Sequence, residues 1–188
     1  MQNNYISIAD AARLYPNCIR TFSGNFLNVF NPKESDFNIE DIAVALSRIP
    51  RFAGHLRRNT SVAEHSIKCY LEAKRRGLSL GIQLQALMHD SAEAFILDFP
   101  SPIKRQMPDY KYMENNLMKV ISNKFCFKFP FDAEIKEIDF ESLQIEWEDN
   151  MFSENIVSCL DSDNFSKQFL SIFNKLTEEI LFLYHNTI

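Results

Sequence analysis

Residues 84–95, with the sequence LQALMHDSAEAF, constrain the fold more than any other part of the chain. The run is helix-prone and mostly apolar, yet it contains His89, Asp90 and Glu93. Residues three and four apart share a helix face, so Glu93 is expected one turn beyond both His89 and Asp90. Burying such groups without partners is unfavourable, by roughly 2–7 kcal/mol for even one neutral polar group. A bound cation removes this objection because imidazole and carboxylate are its ligands. The run therefore predicts half of a metal site.

Composition indicates the class of protein. The chain has 188 residues, enough for a single domain (1–188) with a substantial core. Its net charge of -5 argues against dedicated nucleic-acid or anionic-membrane binding. No window approaches the roughly 18 apolar residues of a transmembrane helix, and no signal peptide is evident. Scattered cysteines without a CxxC pair are typical of reduced thiols: Cys18, Cys69, Cys126 and Cys159. We expect a soluble cytoplasmic protein.

The hydrophobic pattern predicts an all-α helical bundle with one small β-hairpin near the N-terminus. Apolar stripes and capping signals indicate helices over residues 7–15, 39–47, 61–76, 80–95, 109–123, 132–151 and 165–184. β-Prone residues flank a Ser-Gly-Asn turn at 23–25, which predicts the hairpin. Residues 146–149 (EWED) continue the helix 132–151, and we expect them to form a solvated acidic face.

Ionisable residues fall on the core-facing stripes of three different predicted helices: His65, His89, Asp90 and Asp139. Two imidazoles and two carboxylates suit a divalent transition metal and, less well, magnesium. Four protein ligands on an octahedral ion would leave positions for water and a substrate oxygen, and an open position distinguishes a catalytic metal site from a structural one. We therefore predict one divalent ion, which can be cobalt, manganese, magnesium, zinc or iron.

This ligand pattern resembles the H…HD…D signature of the HD-domain metal-dependent phosphohydrolases. Three segments look like those of the bacterial 5′-deoxynucleotidase branch: 61–66 (SVAEHS), 89–93 (HDSAE) and 98–104 (DFPSPIK). Three earlier segments are more similar to phage-type deoxyadenosine triphosphate hydrolases of the same superfamily: 21–24 (TFSG), 39–43 (IEDIA) and 51–55 (RFAGH). The resemblance covers roughly residues 7–151 and implies an HD-domain helical bundle.

The resemblance also implies roles for individual residues. The four residues of the signature would bind the metal, Glu93 would orient or deprotonate the attacking water, and Arg51 would hold the phosphate. Asp98 would line the nucleoside side of the pocket or act as a second acid or base. From their positive charge or loop position, His55 and Lys104 are further candidates to contact the substrate phosphate. Elementary chemistry agrees, since a nearby carboxylate can accept a proton and an arginine fork matches phosphate.

These features leave three hypotheses about function. The first is a metal-dependent phosphohydrolase that removes phosphate from deoxynucleoside 5′-monophosphates. The second is a triphosphohydrolase that releases triphosphate from a deoxynucleoside triphosphate; it needs cationic groups beyond the α-phosphate site. The third is a metal-binding or nucleotide-binding protein without turnover. A nucleotide is the expected small-molecule partner in each case, and the apolar residues of the C-terminal helix are compatible with a homo-oligomer.

Overall fold

The chain folds mainly into α-helices, as the sequence predicts. The computed structural model describes residues 6–152 and 161–186, so Cys159 lies outside the described residues. The helices are α1 (Ile8–Leu14), α2 (Ile39–Arg48), α3 (Val62–Arg75), α4 (Leu80–Met88), α5 (Glu93–Ile96), α6 (Ser101–Lys104), α7 (Pro108–Lys124), α8 (Ala133–Phe152) and α9 (Ser162–Asn186). Within the described part of the chain, none of the helices combines the length and apolar character needed to cross a membrane.

The predicted hairpin is present between α1 and α2. Strands β1 (Cys18–Arg20) and β2 (Phe26–Asn28) pair antiparallel, with Ile19 opposite Leu27. Gly24 lies in the connecting turn with φ of 93°, a conformation that favours glycine. The turn is fastened to α2, because the Ser23 backbone N–H and hydroxyl both donate to the buried Asp41 carboxylate, at 2.6 and 2.7 Å.

Most of the core lies where α2, α4 and α9 meet. Both α2 and α4 pack against α9, and α3 packs against α4 and α8. Leu46, Leu87 and Phe169 are fully buried there, and each such side chain contributes about 1.5–3 kcal/mol when removed from water. A second, smaller apolar cluster joins α3, α4 and α8; it consists of Cys69, Ala73, Ala86, Ile135 and Ile138.

Local hydrogen bonds fix the helix ends that the sequence predicts. Ser7 and Asn38 cap α1 and α2, and Ser61 Oγ accepts the Glu64 backbone N–H at 3.1 Å at the start of α3. The return half of the expected capping box is replaced, since the Glu64 carboxylate accepts from Arg58 at 2.7 Å. The capping residue also closes the preceding loop, because Ser61 forms a β-bridge with Pro50.

The predicted continuous helix over residues 80–95 is wrong. Helix α4 ends at Met88, and residues 89–92 form a tight turn before α5. The Ala86 carbonyl, which an uninterrupted helix would offer to the N–H of Asp90, accepts His89 Nδ1 at 2.9 Å. The next backbone bonds span three residues rather than four, which tightens the chain. His89 and Asp90 therefore lie at the end of a buried helix.

Candidate metal centre and cavity

The four predicted metal ligands meet between α3, the turn after α4, and α8. His65 Nε2 lies 3.0 Å from Asp139 Oδ1 and 3.8 Å from Asp90 Oδ2. His89 Nε2 lies 3.1 Å from Asp90 Oδ2 and 3.7 Å from Asp139 Oδ1. Ligand atoms about 2.1 Å from a shared ion are separated by about 3.0 Å at right angles and about 4.2 Å across the ion. These separations suit one shared cation.

Two of the predicted ligand atoms lack a hydrogen-bond partner. His89 Nε2 and Asp90 Oδ2 are buried and have no hydrogen-bond partner among the described residues. The two atoms are 3.1 Å apart, but their orientation is not that of a hydrogen bond. Leaving a buried donor or acceptor unsatisfied costs about 1–3 kcal/mol. A cation between them would satisfy both atoms, so the donor set fits a metal.

Each imidazole is oriented through its second nitrogen. His89 Nδ1 donates to the Ala86 carbonyl, and His65 Nδ1 lies 3.2 Å from Glu146 Oε1. Both Nε2 atoms are thereby turned toward the carboxylates, the arrangement typical of metal-binding histidines. Burial acts to lower the pKa of His89, but Asp90 and Asp139 outweigh it and raise that pKa well above its usual range.

Glu146 belongs to the site, which the sequence analysis did not predict. It is buried on α8, and its other oxygen accepts Arg51 Nε at 3.2 Å. Burial acts to raise the pKa of Glu146, but the hydrogen bond from His65 and the charge of Arg51 lower it overall. The expectation of a solvated acidic face is wrong at this residue. Its position seven residues after Asp139, two helical turns along one face, was the available signal.

Arg51 lies at the start of a 3-10 turn (Arg51–Gly54) and is buried, although arginine is rarely so. Its Nη1 is 3.8 Å from Asp90 Oδ2 and 3.7 Å from Asp98 Oδ2. Burial acts to lower the pKa of Arg51, but the surrounding carboxylates, Asp90 first, raise it. The guanidinium is therefore a permanent buried cation beside the predicted metal ligands.

Glu93 and Lys104 form a second ion pair at the site. Lys104 Nζ donates to Glu93 Oε1 and lies 3.4 Å from Asp98 Oδ1. Burial raises the pKa of Glu93 well above its usual range, and the charges of Asp90 and Asp98 add to this effect against the opposing charge of Lys104. Burial likewise raises the pKa of Asp98. Carboxyl groups with raised pKa are suited to proton transfer near neutral pH.

The site opens into a cavity of about 660 Å³. Its lining combines ionisable residues with an apolar and aromatic wall, which includes Phe52, Phe99, Phe140, Leu143 and Trp147. The Phe52 and Trp147 rings are 6.1 Å apart. Lys104 lines this cavity, whereas His55 is exposed at the end of the 3-10 turn and is not among the lining residues. A role for His55 in substrate binding stays a prediction.

The backbone is strained next to Arg51 and Asp98, two residues that line the cavity. Phe52 and Ala53 both have φ of 53°, directly after Arg51, and Leu97 has φ of 70°, directly before Asp98. Non-glycine residues in this left-handed region cost of order 1–3 kcal/mol each. Such strain persists where the surrounding structure over-determines the conformation, and it is concentrated at functional sites.

A thiol also adjoins the imidazoles. One ligand atom from each of His65, Cys69 and His89 lies within 4.8 Å of the others, a cluster that could hold a metal. Cys69 Sγ is 3.6 Å from His65 Nε2 and donates to Ser142 Oγ at 3.5 Å. Burial acts to raise the pKa of the Cys69 thiol, but the neighbouring His65 outweighs it and lowers that pKa.

Comparison with known proteins places the chain among relatives. No family model matches the sequence. It is 39% identical over 131 residues to the uncharacterized protein YfdR of Escherichia coli K12, covering 70% of this chain and 71% of that protein. It is 30% identical over 138 residues to the uncharacterized protein RCAP_rcc00048 of Rhodobacter capsulatus, covering 69% and 70%. At this identity and coverage, the chain belongs to the family that includes YfdR.

Proposed function

We propose that this protein is a divalent-metal-dependent phosphohydrolase of the HD-domain type that acts on nucleotides, with deoxynucleoside 5′-monophosphates as the favoured substrates. One observation carries the proposal. Two imidazoles and two carboxylates converge with partly unsatisfied donor atoms, beside a buried arginine and a buried glutamate, at one cavity. That combination matches the needs of phosphate-ester hydrolysis: a cation site, a phosphate ligand and a proton acceptor.

The residues that would hold the metal are His65, His89, Asp90 and Asp139. When bound, a divalent ion would act as a Lewis acid toward the phosphoryl oxygen and the attacking water. Glu146 keeps His65 in the tautomer that presents Nε2, and the Ala86 carbonyl does the same for His89.

Arg51 would bind the phosphate. Glu146 holds its Nε, while its Nη1 approaches Asp90 and Asp98 only to 3.8 and 3.7 Å, longer than a hydrogen bond. The outer edge of the guanidinium therefore keeps donors for a phosphate oxygen. Because the group is buried and held by Glu146, little side-chain freedom would be lost on binding.

Glu93 would accept the proton from the attacking water. Its Oε2 is buried without a hydrogen-bond partner among the described residues, while Oε1 is held by Lys104. Asp98 lies farther along the cavity, near both Arg51 and Lys104, where it could protonate the leaving oxygen or contact the nucleoside. The aromatic wall would take the apolar faces of the base and sugar.

The charge of the cavity favours a monophosphate over a triphosphate. Three cations line it, namely Arg51, Lys104 and Arg105, together with four acids, namely Asp90, Glu93, Asp98 and Asp139. The lining has a net charge of -1 with every group ionised, and a divalent ion would reverse its sign. The resulting charge of +1 is closer to balancing one phosphate group with a charge of about −2 than a triphosphate, which needs further cations.

A metal-by-nucleotide turnover matrix on chelated and re-metallated protein tests this function. It would cross cobalt, manganese, magnesium, zinc and iron with deoxynucleoside mono- and triphosphates, with detection of both orthophosphate and inorganic triphosphate. Metal-dependent orthophosphate from monophosphates is the expected result. Triphosphate as product would indicate the triphosphohydrolase alternative, and no turnover with metal bound would indicate the non-catalytic alternative.

Two variants test the assigned roles. Glu93→Gln should retain metal and nucleotide binding but lose turnover by roughly 10²–10⁴-fold, since it removes the proton acceptor. Asp90→Asn should lose the metal itself, as measured by elemental analysis. The matched control is Glu178→Gln, an exposed carboxylate on α9, which should behave as wild type. Unchanged rates in Glu93→Gln would remove Glu93 from the mechanism, and full occupancy in Asp90→Asn would contradict the ligand assignment.

A further inference from the structure

Cys69 belongs to the small apolar cluster of α3, α4 and α8, yet its sulfur also contacts a nitrogen of the predicted ligand His65. It follows His65 by four residues on α3, so the two side chains project from one helix face. Its side chain is buried, in one cluster with apolar residues and in another with the two imidazoles. A thiol that serves only to fill space needs no contact with imidazole nitrogens.

The distances at Cys69 are those of a metal ligand. Sulfur and nitrogen ligands of one zinc ion, at about 2.3 and 2.1 Å from the metal, are about 3.1–3.6 Å apart for angles between right-angled and tetrahedral. Cys69 Sγ and His65 Nε2 are 3.6 Å apart. The Ser142 hydroxyl at 3.5 Å can donate as well as accept, so this contact would also stabilise a thiolate.

A second observation points independently to a ligand at this place. His89 Nε2 is buried and has no hydrogen-bond partner among the described residues, and His89 shares a potential metal-binding cluster with Cys69. A shared cation would supply the partner that His89 Nε2 lacks. The same cation would be within reach of the thiol, because the three ligand atoms all lie within 4.8 Å of one another.

We propose that Cys69 Sγ is a ligand of the ion held by His65 and His89, so that the site takes thiophilic divalent ions such as zinc, cobalt or iron in preference to magnesium. Soft thiolate ligands select such metals, whereas magnesium prefers an all-oxygen shell. This inference rests on the metal site of the proposed function and specifies its metal. It does not depend on which nucleotide is hydrolysed.

Cobalt substitution tests the proposal without reference to activity. The metal-free full-length chain is titrated with Co²⁺, and two sets of absorption bands are recorded. The visible ligand-field bands report that cobalt is bound, and the near-ultraviolet sulfur-to-cobalt charge-transfer band reports a thiolate ligand. Wild type and Cys126→Ser, a matched control at an exposed free cysteine, should show both sets. Cys69→Ser should keep the visible bands and lose the charge-transfer band.

The outcomes separate this inference from the proposed function. Visible bands without a charge-transfer band in wild type would overturn the role of Cys69 and leave the metal site intact, as would a charge-transfer band that persists in Cys69→Ser. Absence of any cobalt binding would overturn the metal site and the proposed function with it. If Cys69→Ser fails to fold, Cys69→Ala provides a second variant, in which a persisting charge-transfer band would likewise overturn the role of Cys69.

Competition titrations give a second readout in the same proteins. Cys69→Ser should weaken zinc binding by at least roughly tenfold relative to wild type and Cys126→Ser, as loss of a ligating or supporting group typically does. Magnesium affinity should be unchanged, because a thiolate contributes little to that ion. Equal losses for zinc and magnesium would overturn the selectivity argument.

Discussion

Replacing Glu146 with alanine tests how the site is held together. Glu146 accepts from two buried donors, with His65 Nδ1 at 3.2 Å from Oε1 and Arg51 Nε at 3.2 Å from Oε2. Lys68 Nζ, which is partly exposed, lies 3.7 Å from Oε1. The substitution removes both contacts at once. It leaves a buried guanidinium with Asp90 and Asp98 as more distant partners, and it frees the His65 ring to change tautomer.

The magnitude follows from the two contacts. A hydrogen bond to a charged group is worth about 1.5–3 kcal/mol, so the loss of two predicts destabilisation by about 3–6 kcal/mol. That is a large part of the roughly 5–15 kcal/mol that holds a domain folded. Loss of a group that orients a metal-binding histidine should also weaken metal affinity by roughly 10–100-fold. Glu146→Gln should be intermediate, because its single oxygen can serve only one of the two donors.

The assay separates the two effects. Urea unfolding in the presence of a chelator reports stability, and competition with a metal indicator reports affinity. Glu148→Ala, an exposed glutamate on the same helix, is the matched control and should change stability by no more than about 0.5 kcal/mol. The reasoning would be refuted if Glu146→Ala unfolded no more easily than Glu148→Ala and bound metal with wild-type affinity.

Two further predictions concern the elements that support the site. Ile138→Ala on α8 should destabilise the protein by about 2–5 kcal/mol because the side chain is fully buried. Ile145 is exposed on the same helix, so Ile145→Ala should change the stability by no more than about 0.5 kcal/mol. Similar urea midpoints for the two variants would contradict the packing of α8. Hydrogen bonds from Arg75 and then Arg76 lower the pKa of Glu72 to about 2. A carboxylate with a lowered pKa stabilises the fold at pH values above its unfolded pKa of about 4.3, and this stabilisation is lost as the pH falls toward the folded pKa. Glu72→Gln should therefore lower the free energy of unfolding by less than about 1 kcal/mol near neutral pH. The loss should become smaller in acid. A loss that is constant with pH would contradict this assignment.

Features that depend on near neighbours in sequence were predictable. The caps at Ser7, Asn38 and Ser61 each need only a side-chain oxygen and a backbone N–H two or three residues later. The hairpin needs only β-prone residues around a glycine that can adopt positive φ. The convergence of His65 with Asp139 was also predicted, because both residues fall on the core-facing stripes of their predicted helices; His65 is fully buried, whereas the Asp139 side chain is half-exposed.

Features set by competition between groups were not predictable from those patterns. The break after Met88 arises because a side chain, His89, uses a carbonyl that the helix would otherwise use. The burial of Glu146 requires two donors from distant parts of the chain, and sequence pattern alone marks it as one acid among several. Phe52 and Ala53, in the loop that leads to the exposed His55, adopt left-handed conformations that their residue types give no reason to expect.

Helix α8 packs on α3 and α4 through both apolar and polar residues. Among its described residues, the buried apolar side chains are Ile135 and Ile138, in the small cluster with α3 and α4. Farther along, its buried residues are Ser142 and Glu146, which bond to the cysteine and histidine of α3 and to Arg51. Polar contacts of this kind are strong only when every member is satisfied. Because α8 also carries the cavity wall residues Phe140, Leu143 and Trp147, the occupant of the ligand cluster and the shape of the cavity are coupled through one helix.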